Sequence, residues 1–113
     1  MKLYGIANCD TVKKARTYLE HHKINFEFVD FKKIPPTEAD IERWGKAFGG
    51  FPVNEKGQTY KKYKLEFEVL AAKNKGRFIA EHPSMIKRPI LEKGAKILAF
   101  GFREEDYKEQ LGL

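Results

Sequence analysis

The chain has 113 residues, of which 42% are hydrophobic and 13% aromatic, and this composition suits one domain with a single core. Its 22 lysines and arginines exceed its 16 acidic residues and give a net charge of +6. The lysines are mixed with glutamates, so the charge indicates attraction for anions in general and does not specify nucleic acid. We expect a cytoplasmic protein, because there is no signal-peptide pattern, no membrane-spanning run and only one cysteine, which excludes an internal disulfide.

The first part of the chain predicts a β-α-β unit. Residues 2–6 form a short apolar stretch typical of a buried strand. Val12, Ala15 and Leu19 recur at helical spacing and predict a helix that ends near residues 21–23. Residues 24–31 alternate apolar and polar side chains and predict a second strand. Two strands joined by a helix in this way pair in parallel through a right-handed crossover.

A helical insertion is predicted at about residues 35–85. It opens with residues 37–40, Thr-Glu-Ala-Asp, which resemble a capping box, and the helix that follows ends at Gly49-Gly50. Trp44 lies on the apolar face of that helix, so we expect it in the core and not in a ligand site.

The rest of the insertion is predicted as a loop followed by a helix. Residues 51–63 lack a steady period and are interpreted as a loop. A helix is expected from residue 65, with an interruption at Gly76 and an end at Pro83. His82 then falls at a helix C-terminus, where a structural role explains it.

The end of the chain predicts a hairpin and a helix. Residues 86–91 lead into a third strand, residues 92–95 form the turn and residues 96–100 form a fourth strand. Residues 103–110 predict an amphipathic helix packed on the sheet. The order β-α-β, helical insertion, β-β-α is that of an α/β, thioredoxin-like fold with a mixed four-stranded sheet.

The only cysteine, Cys9, falls at the first strand-to-helix turn. A helix N-terminus stabilises a thiolate through unpaired N–H groups and the helix dipole, and Lys13 and Lys14 add positive charges. A lone cysteine is more commonly a small buried apolar residue, but the polar neighbours of Cys9 argue against burial. In a thioredoxin-like fold Pro89 enters the third strand beside this turn, and its peptide bond can be cis or trans, with trans far commoner.

Three separated segments carry a resemblance to a known family. Residues 4–15 (YGIANCDTVKKA), 57–62 (GQTYKK) and 82–91 (HPSMIKRPIL) resemble the ArsC/Spx family, and within it the YffB-type members. The resemblance runs nearly end to end and implies a thioredoxin-like domain with a helical insertion. It also implies that Cys9 is the catalytic nucleophile. The residues expected to bind substrate around it are Asn8, Thr11, Lys13, Lys61, Arg88 and Pro89.

The chain departs from the arsenate reductases of this family. In these enzymes three arginines assist the cysteine. Arg88 matches one of them, Lys61 stands at the position of the second, and the position of the third falls near the apolar Ala99-Phe100. Arginine offers a planar fork of donors to an oxyanion, which lysine does not. We therefore do not expect arsenate as a substrate.

Three functions remain open. The first is a single-cysteine oxidoreductase that reduces an oxidised small molecule or protein, with glutathione or another external thiol completing the cycle, because Val12 stands where a resolving cysteine would be. The alternative is a regulator similar to Spx that binds RNA polymerase or another protein without a C-x-x-C redox switch. The third is a small domain with an inert thiol. No bound cofactor, metal or membrane is expected, since one cysteine and three scattered histidines lack metal-ligand spacing.

Overall fold

A computed structural model describes residues 1–113, which form two compact units. The sheet unit comprises Met1–Ile34 and Arg88–Leu113, and the helical unit comprises Pro35–Lys87. No helix is both long and apolar enough to cross a membrane. The elements are β1 (Lys2–Gly5), α1 (Asp10–His21), β2 (Glu27–Asp30), α2 (Glu38–Phe48), α3 (Gln58–Glu68), α4 (Ala72–Glu81), a 3₁₀ helix (Pro83–Met85), β3 (Ile90–Lys93), β4 (Lys96–Phe100) and α5 (Glu104–Leu111).

The sheet unit has the predicted mixed four-stranded sheet, in the order β2-β1-β3-β4. β1 pairs with β2 in parallel, while β1 with β3 and β3 with β4 are antiparallel, which confirms the β-α-β unit and the hairpin. Because apolar side chains of α1, α5 and the central strands meet, one core forms in this unit. It is made of Leu3, Ala15, Leu19, Leu91 and Tyr107.

The helical unit begins with the predicted capping box. The Thr37 hydroxyl accepts a hydrogen bond from the backbone N–H of Asp40 at 3.1 Å, and the Asp40 carboxylate accepts one from the N–H of Thr37 at 2.9 Å. α2 ends at Gly49, whose φ of 87° is the left-handed conformation that glycine favours. Trp44 is fully buried, as predicted. An isolated antiparallel bridge pairs Val53, after α2, with Ile86 near the end of this unit.

Two predictions in the insertion are wrong. The loop expected through residue 63 ends at Gly57, because α3 begins at Gln58 and buries Tyr60 and Phe67 on one face. Gly76 does not interrupt a helix but lies inside α4. A helix tolerates an internal glycine at a cost of about 1 kcal/mol, which neighbouring contacts can outweigh.

The second and third strands also differ at their ends from the prediction. β2 begins at Glu27, and Ile24 and Phe26 precede it as half-buried residues packed against the core of the sheet unit. Their alternation reflects this packing and not strand pairing. β3 runs on to Lys93, so the turn of the hairpin is confined to Gly94-Ala95.

Candidate active site

Cys9 is the N-cap residue of α1. Its backbone is extended, with φ −142° and ψ 123°, and its carbonyl accepts the first helical hydrogen bond, from the N–H of Lys13 at 2.9 Å. No side chain caps the helix, so the first N–H groups of α1 have no side-chain acceptor. The thiol is half-buried and belongs to no disulfide. A thiolate here therefore lies at the positive end of the helix with donors close by.

Gly5 and Val12 fix the start of α1 against the end of β1. A Cβ on Gly5 would lie 2.8 Å from Cγ2 of Val12, closer than two such carbons can approach. Val12 is fully buried. The turn carrying Cys9 is thus held between a strand end and a buried side chain, and this role of Gly5 was missed in the sequence, where nothing local distinguishes it.

The entrance to β3 lies at the same end of β1. Tyr4 pairs with Ile90 in the antiparallel register, and one more step places Pro89 beside Gly5. The Arg88–Pro89 peptide bond is cis, the conformer that the sequence left open. The carbonyl of Pro89 accepts a hydrogen bond from the N–H of Gly101 at 2.8 Å, a contact that the sequence did not indicate.

Arg88 and Pro89 are held firmly in this position. Pro89 is buried, Arg88 is half-buried and its Nε is completely buried. Sheet pairing therefore brings the Arg88–Pro89 segment to the end of β1 from which the chain continues to Cys9. Of the predicted site residues, these three are the ones that the topology of the sheet unit brings to one end of one strand.

The polar residues around Cys9 are exposed. Asn8, Thr11 and Lys13 lie at the surface beside the turn, and their role in substrate binding stays a prediction. Asp10 is also exposed, in the first turn of α1. Its carboxylate stabilises the helix N-terminus but opposes a second negative charge on the adjacent thiol. The prediction overlooked this opposing charge, although Asp10 is visible in the sequence.

Two further lysines occupy different surroundings. Lys14 lines a groove of about 420 Å³ on the outer face of α1, together with His21 and Phe102. Lys61 is exposed in the first half of α3, in the helical unit. The contribution of Lys61 to substrate binding thus stays a prediction. No group of three or more His, Cys, Asp or Glu side chains is placed to hold a metal ion.

Comparison with known proteins gives the same family throughout. A model of the ArsC family matches residues 4–110. The chain is similar to the solved YffB protein, with 34% identity, a TM-score of 0.82 and 97% of both chains covered. It is 32% identical to an uncharacterized protein of Haemophilus influenzae over 94% of each chain. It is also 26% identical to the global transcriptional regulator Spx of Bacillus subtilis, over 96% of this chain and 85% of that protein. The thioredoxin-like fold and the resemblance drawn from three segments are thereby confirmed.

Proposed function

The chain belongs to the ArsC family, and from that premise we propose that it is a thiol-dependent oxidoreductase with one catalytic cysteine. The observation that carries the proposal is the position of Cys9, a half-buried thiol at the N-cap of α1 with no side chain capping the helix. Such a position favours the thiolate, which is the nucleophile in thiol–disulfide exchange.

The proposed cycle has two exchange steps. The Cys9 thiolate attacks the glutathione sulfur of a mixed disulfide, the substrate leaves as a thiolate that takes up a proton, and Cys9 becomes glutathionylated. The thiolate of a second glutathione then attacks the glutathione sulfur bound to Cys9, which releases oxidised glutathione and restores the Cys9 thiolate. The external thiol is required because Cys9 is the only cysteine.

Binding of the substrate is assigned to the polar residues near the turn. Arg88, fixed at the entrance to β3, offers a planar fork of donors to a carboxylate or oxyanion. Lys13 supplies a point charge to an anionic substrate such as a glutathione adduct, and the family resemblance assigns the same role to Lys61 of the helical unit. Asn8 and Thr11, both exposed, are assigned hydrogen bonds to groups close to the sulfur. Pro89 shapes the apolar surface beside it.

Arsenate is not the substrate that we propose. A tetrahedral oxyanion needs several forked donors, whereas the resemblance to the arsenate reductases puts their third arginine position near Ala99 and Phe100 of β4. Both are apolar and half-buried. Arg88 alone then provides a guanidinium, which suits a single carboxylate better than an oxyanion with three charged oxygens.

The test is glutathione-dependent reduction of a mixed disulfide between glutathione and a peptide. We expect turnover with the natural protein and none with Cys9→Ser, and we expect mass spectrometry after treatment with oxidised glutathione to find one adduct, on Cys9. Reductase activity that survives Cys9→Ser would overturn the proposal.

Arg88→Gln tests the binding role, with Lys93→Gln as a control that removes an equal charge from an exposed site in the same unit. The first should raise the KM for an anionic substrate at least tenfold, in line with the roughly 1.5–3 kcal/mol of a charged hydrogen bond. The control should leave KM within about twofold. Equal effects of the two variants would remove Arg88 from the binding site.

A second candidate is a protein-binding regulator, favoured by the relatives named global transcriptional regulator Spx. Leu65 and Val69 are each 81% exposed, a turn apart at the end of α3, where a partner could cover them. Affinity capture of RNA polymerase by both the natural protein and Cys9→Ser, with loss on Leu65→Lys, would favour this function. Retention of binding by Leu65→Lys would exclude this face.

A further inference from the structure

A groove of about 470 Å³ lies within the helical unit, between α2 and α4. Ile41, Phe51 and Ala72 give it an apolar lining, and Phe51 keeps 36% of its surface exposed. Grooves of roughly 300–1,000 Å³ with apolar linings and a few polar groups are typical of small-molecule sites. None of these residues belongs to the proposed catalytic site.

Gly76 lines this groove, and as a glycine it lowers the stability of its helix. It lies in the interior of α4, where glycine is the least favourable residue apart from proline. A Cβ at Gly76 would meet no atom within 4 Å, so packing does not require a glycine. Gly45, across the groove on α2, differs, because a Cβ there would lie 3.0 Å from the carbonyl oxygen of Gly50. The absence of a side chain at Gly76 therefore keeps the groove open, and the packing of the fold does not require it.

The two walls of the groove carry opposite charges. On α4, Lys73 and Arg77 line the groove, form no ion pair and are exposed. On α2, Glu38, Glu42 and Lys46 line the groove, and Glu42 is paired with Lys46 at 3.7 Å, which leaves Glu38 as the acidic residue of this wall without a lysine beside it in the groove lining. An elongated apolar molecule with one anionic end is therefore oriented, with its charge toward Lys73 and Arg77 and away from α2.

We propose that this groove binds a free, monomeric organic carboxylate with an unbranched apolar body. The apolar body packs on Phe51 and over Gly76, and the carboxylate accepts hydrogen bonds from Arg77 and Lys73. This binding is independent of Cys9.

The test is an NMR titration of the full chain with sodium octanoate below its micelle concentration. Saturable shifts of the backbone amides of Gly45, Gly50 and Gly76 are expected. Gly76→Leu should weaken binding more than tenfold while the melting temperature holds or rises, because leucine is the better helix former and its Cβ meets no atom. Gly76→Ala, the smaller change, should weaken binding about threefold.

The charge requirement is tested separately. Lys73→Gln combined with Arg77→Gln should weaken octanoate binding about tenfold, whereas Lys64→Gln, which removes an exposed charge from α3, should leave it unchanged. The neutral octan-1-ol should bind at least tenfold more weakly than octanoate. Absence of saturable shifts, unchanged affinity in Gly76→Leu, or equal binding of the alcohol would overturn the proposal. Cys9→Ser should bind octanoate normally, so failure here is distinguishable from failure of the reductase mechanism.

Discussion

Gly5 and Val12 are the pair of residues on which the geometry of the cysteine turn depends. Gly5→Ala would place a carbon 2.8 Å from Cγ2 of the fully buried Val12. Because overpacking in a core costs about 1–3 kcal/mol, we expect the free energy of unfolding to fall by about that amount, as measured by urea denaturation.

The cause of that loss can be isolated with a double-mutant cycle. Val12→Ala alone leaves a cavity and also destabilises the protein, but combined with Gly5→Ala it removes the clash. We therefore expect the double variant to be more stable than the sum of the single effects predicts, by about 1 kcal/mol or more. Simple additivity would show that the two side chains do not meet.

Val12 also bears on the proposed catalytic cycle, because it stands where a resolving cysteine would be. In Val12→Cys the introduced thiolate lies one helical turn from Cys9 and can attack the Cys9 sulfur of the glutathione adduct, with glutathione as the leaving thiolate. We expect oxidised glutathione to give this variant an internal disulfide and no lasting adduct. Mass spectrometry detects the glutathione adduct, and thiol counting detects the internal disulfide.

The control for this variant is Thr17→Cys, which adds an exposed thiol two turns along α1. This protein should carry glutathione on both cysteines and form no internal disulfide, because its two sulfurs are too far apart for a bond. A lasting adduct on Cys9 in Val12→Cys would show that the first turn of α1 does not open far enough for exchange.

The capping box of α2 makes the stability of that helix depend on pH. Burial alone would raise the pKa of Asp40, but hydrogen bonds from the backbone of Thr37 and from Arg43 outweigh it and hold the pKa below its usual value. A carboxyl group whose pKa is lowered by folding stabilises the protein fully above the unfolded pKa of about 3.9. This contribution is lost as the pH falls through the lower, folded value.

Asp40→Asn should therefore lose about 1 kcal/mol of stability at pH 7, and the difference from the natural protein should shrink below pH 4. Urea denaturation at a series of pH values measures this. Glu42→Gln is the control, because Glu42 forms only an exposed pair with Lys46 at 3.7 Å and should cost less than about 0.5 kcal/mol. A constant difference between Asp40→Asn and the natural protein across this range would contradict the assignment.

Elements with strong local signals could be predicted from the sequence, and elements held by distant contacts could not. Thr37, Asp40 and Gly49 specify both ends of α2 by local hydrogen bonding and backbone conformation, so its bounds were predicted. The start of α3 was missed because Gly57 usually indicates a turn, whereas here it caps a helix whose buried face is set by Tyr60 and Phe67.

The candidate site shows the same division. Cys9 was found from its neighbours, since a helix N-terminus is a local feature. The position of Pro89 beside Gly5 follows from the pairing of β1 with β3, which joins residues more than 80 apart in the chain. Periodicity carries no information on such a register, so a thioredoxin-like order and a family resemblance were needed to expect it.

At the scale of the whole molecule, the net charge of +6 attracts any anion that approaches the protein. Oxidised glutathione is an anion, so the positive charge of the protein should accelerate its encounter with Cys9 at low ionic strength. The Debye length is about 30 Å at 0.01 M salt but only about 3 Å at 1 M, so this acceleration should disappear at 1 M. We expect the rate constant for glutathionylation of Cys9 to fall about threefold or more across that range. The neutral 4,4'-dithiodipyridine, which reports the same thiol without the attraction, should react at a nearly constant rate. If the rate constants for both reagents fell equally, salt would be changing the reactivity of the Cys9 thiol itself. That result would contradict electrostatic steering by the charge of the protein.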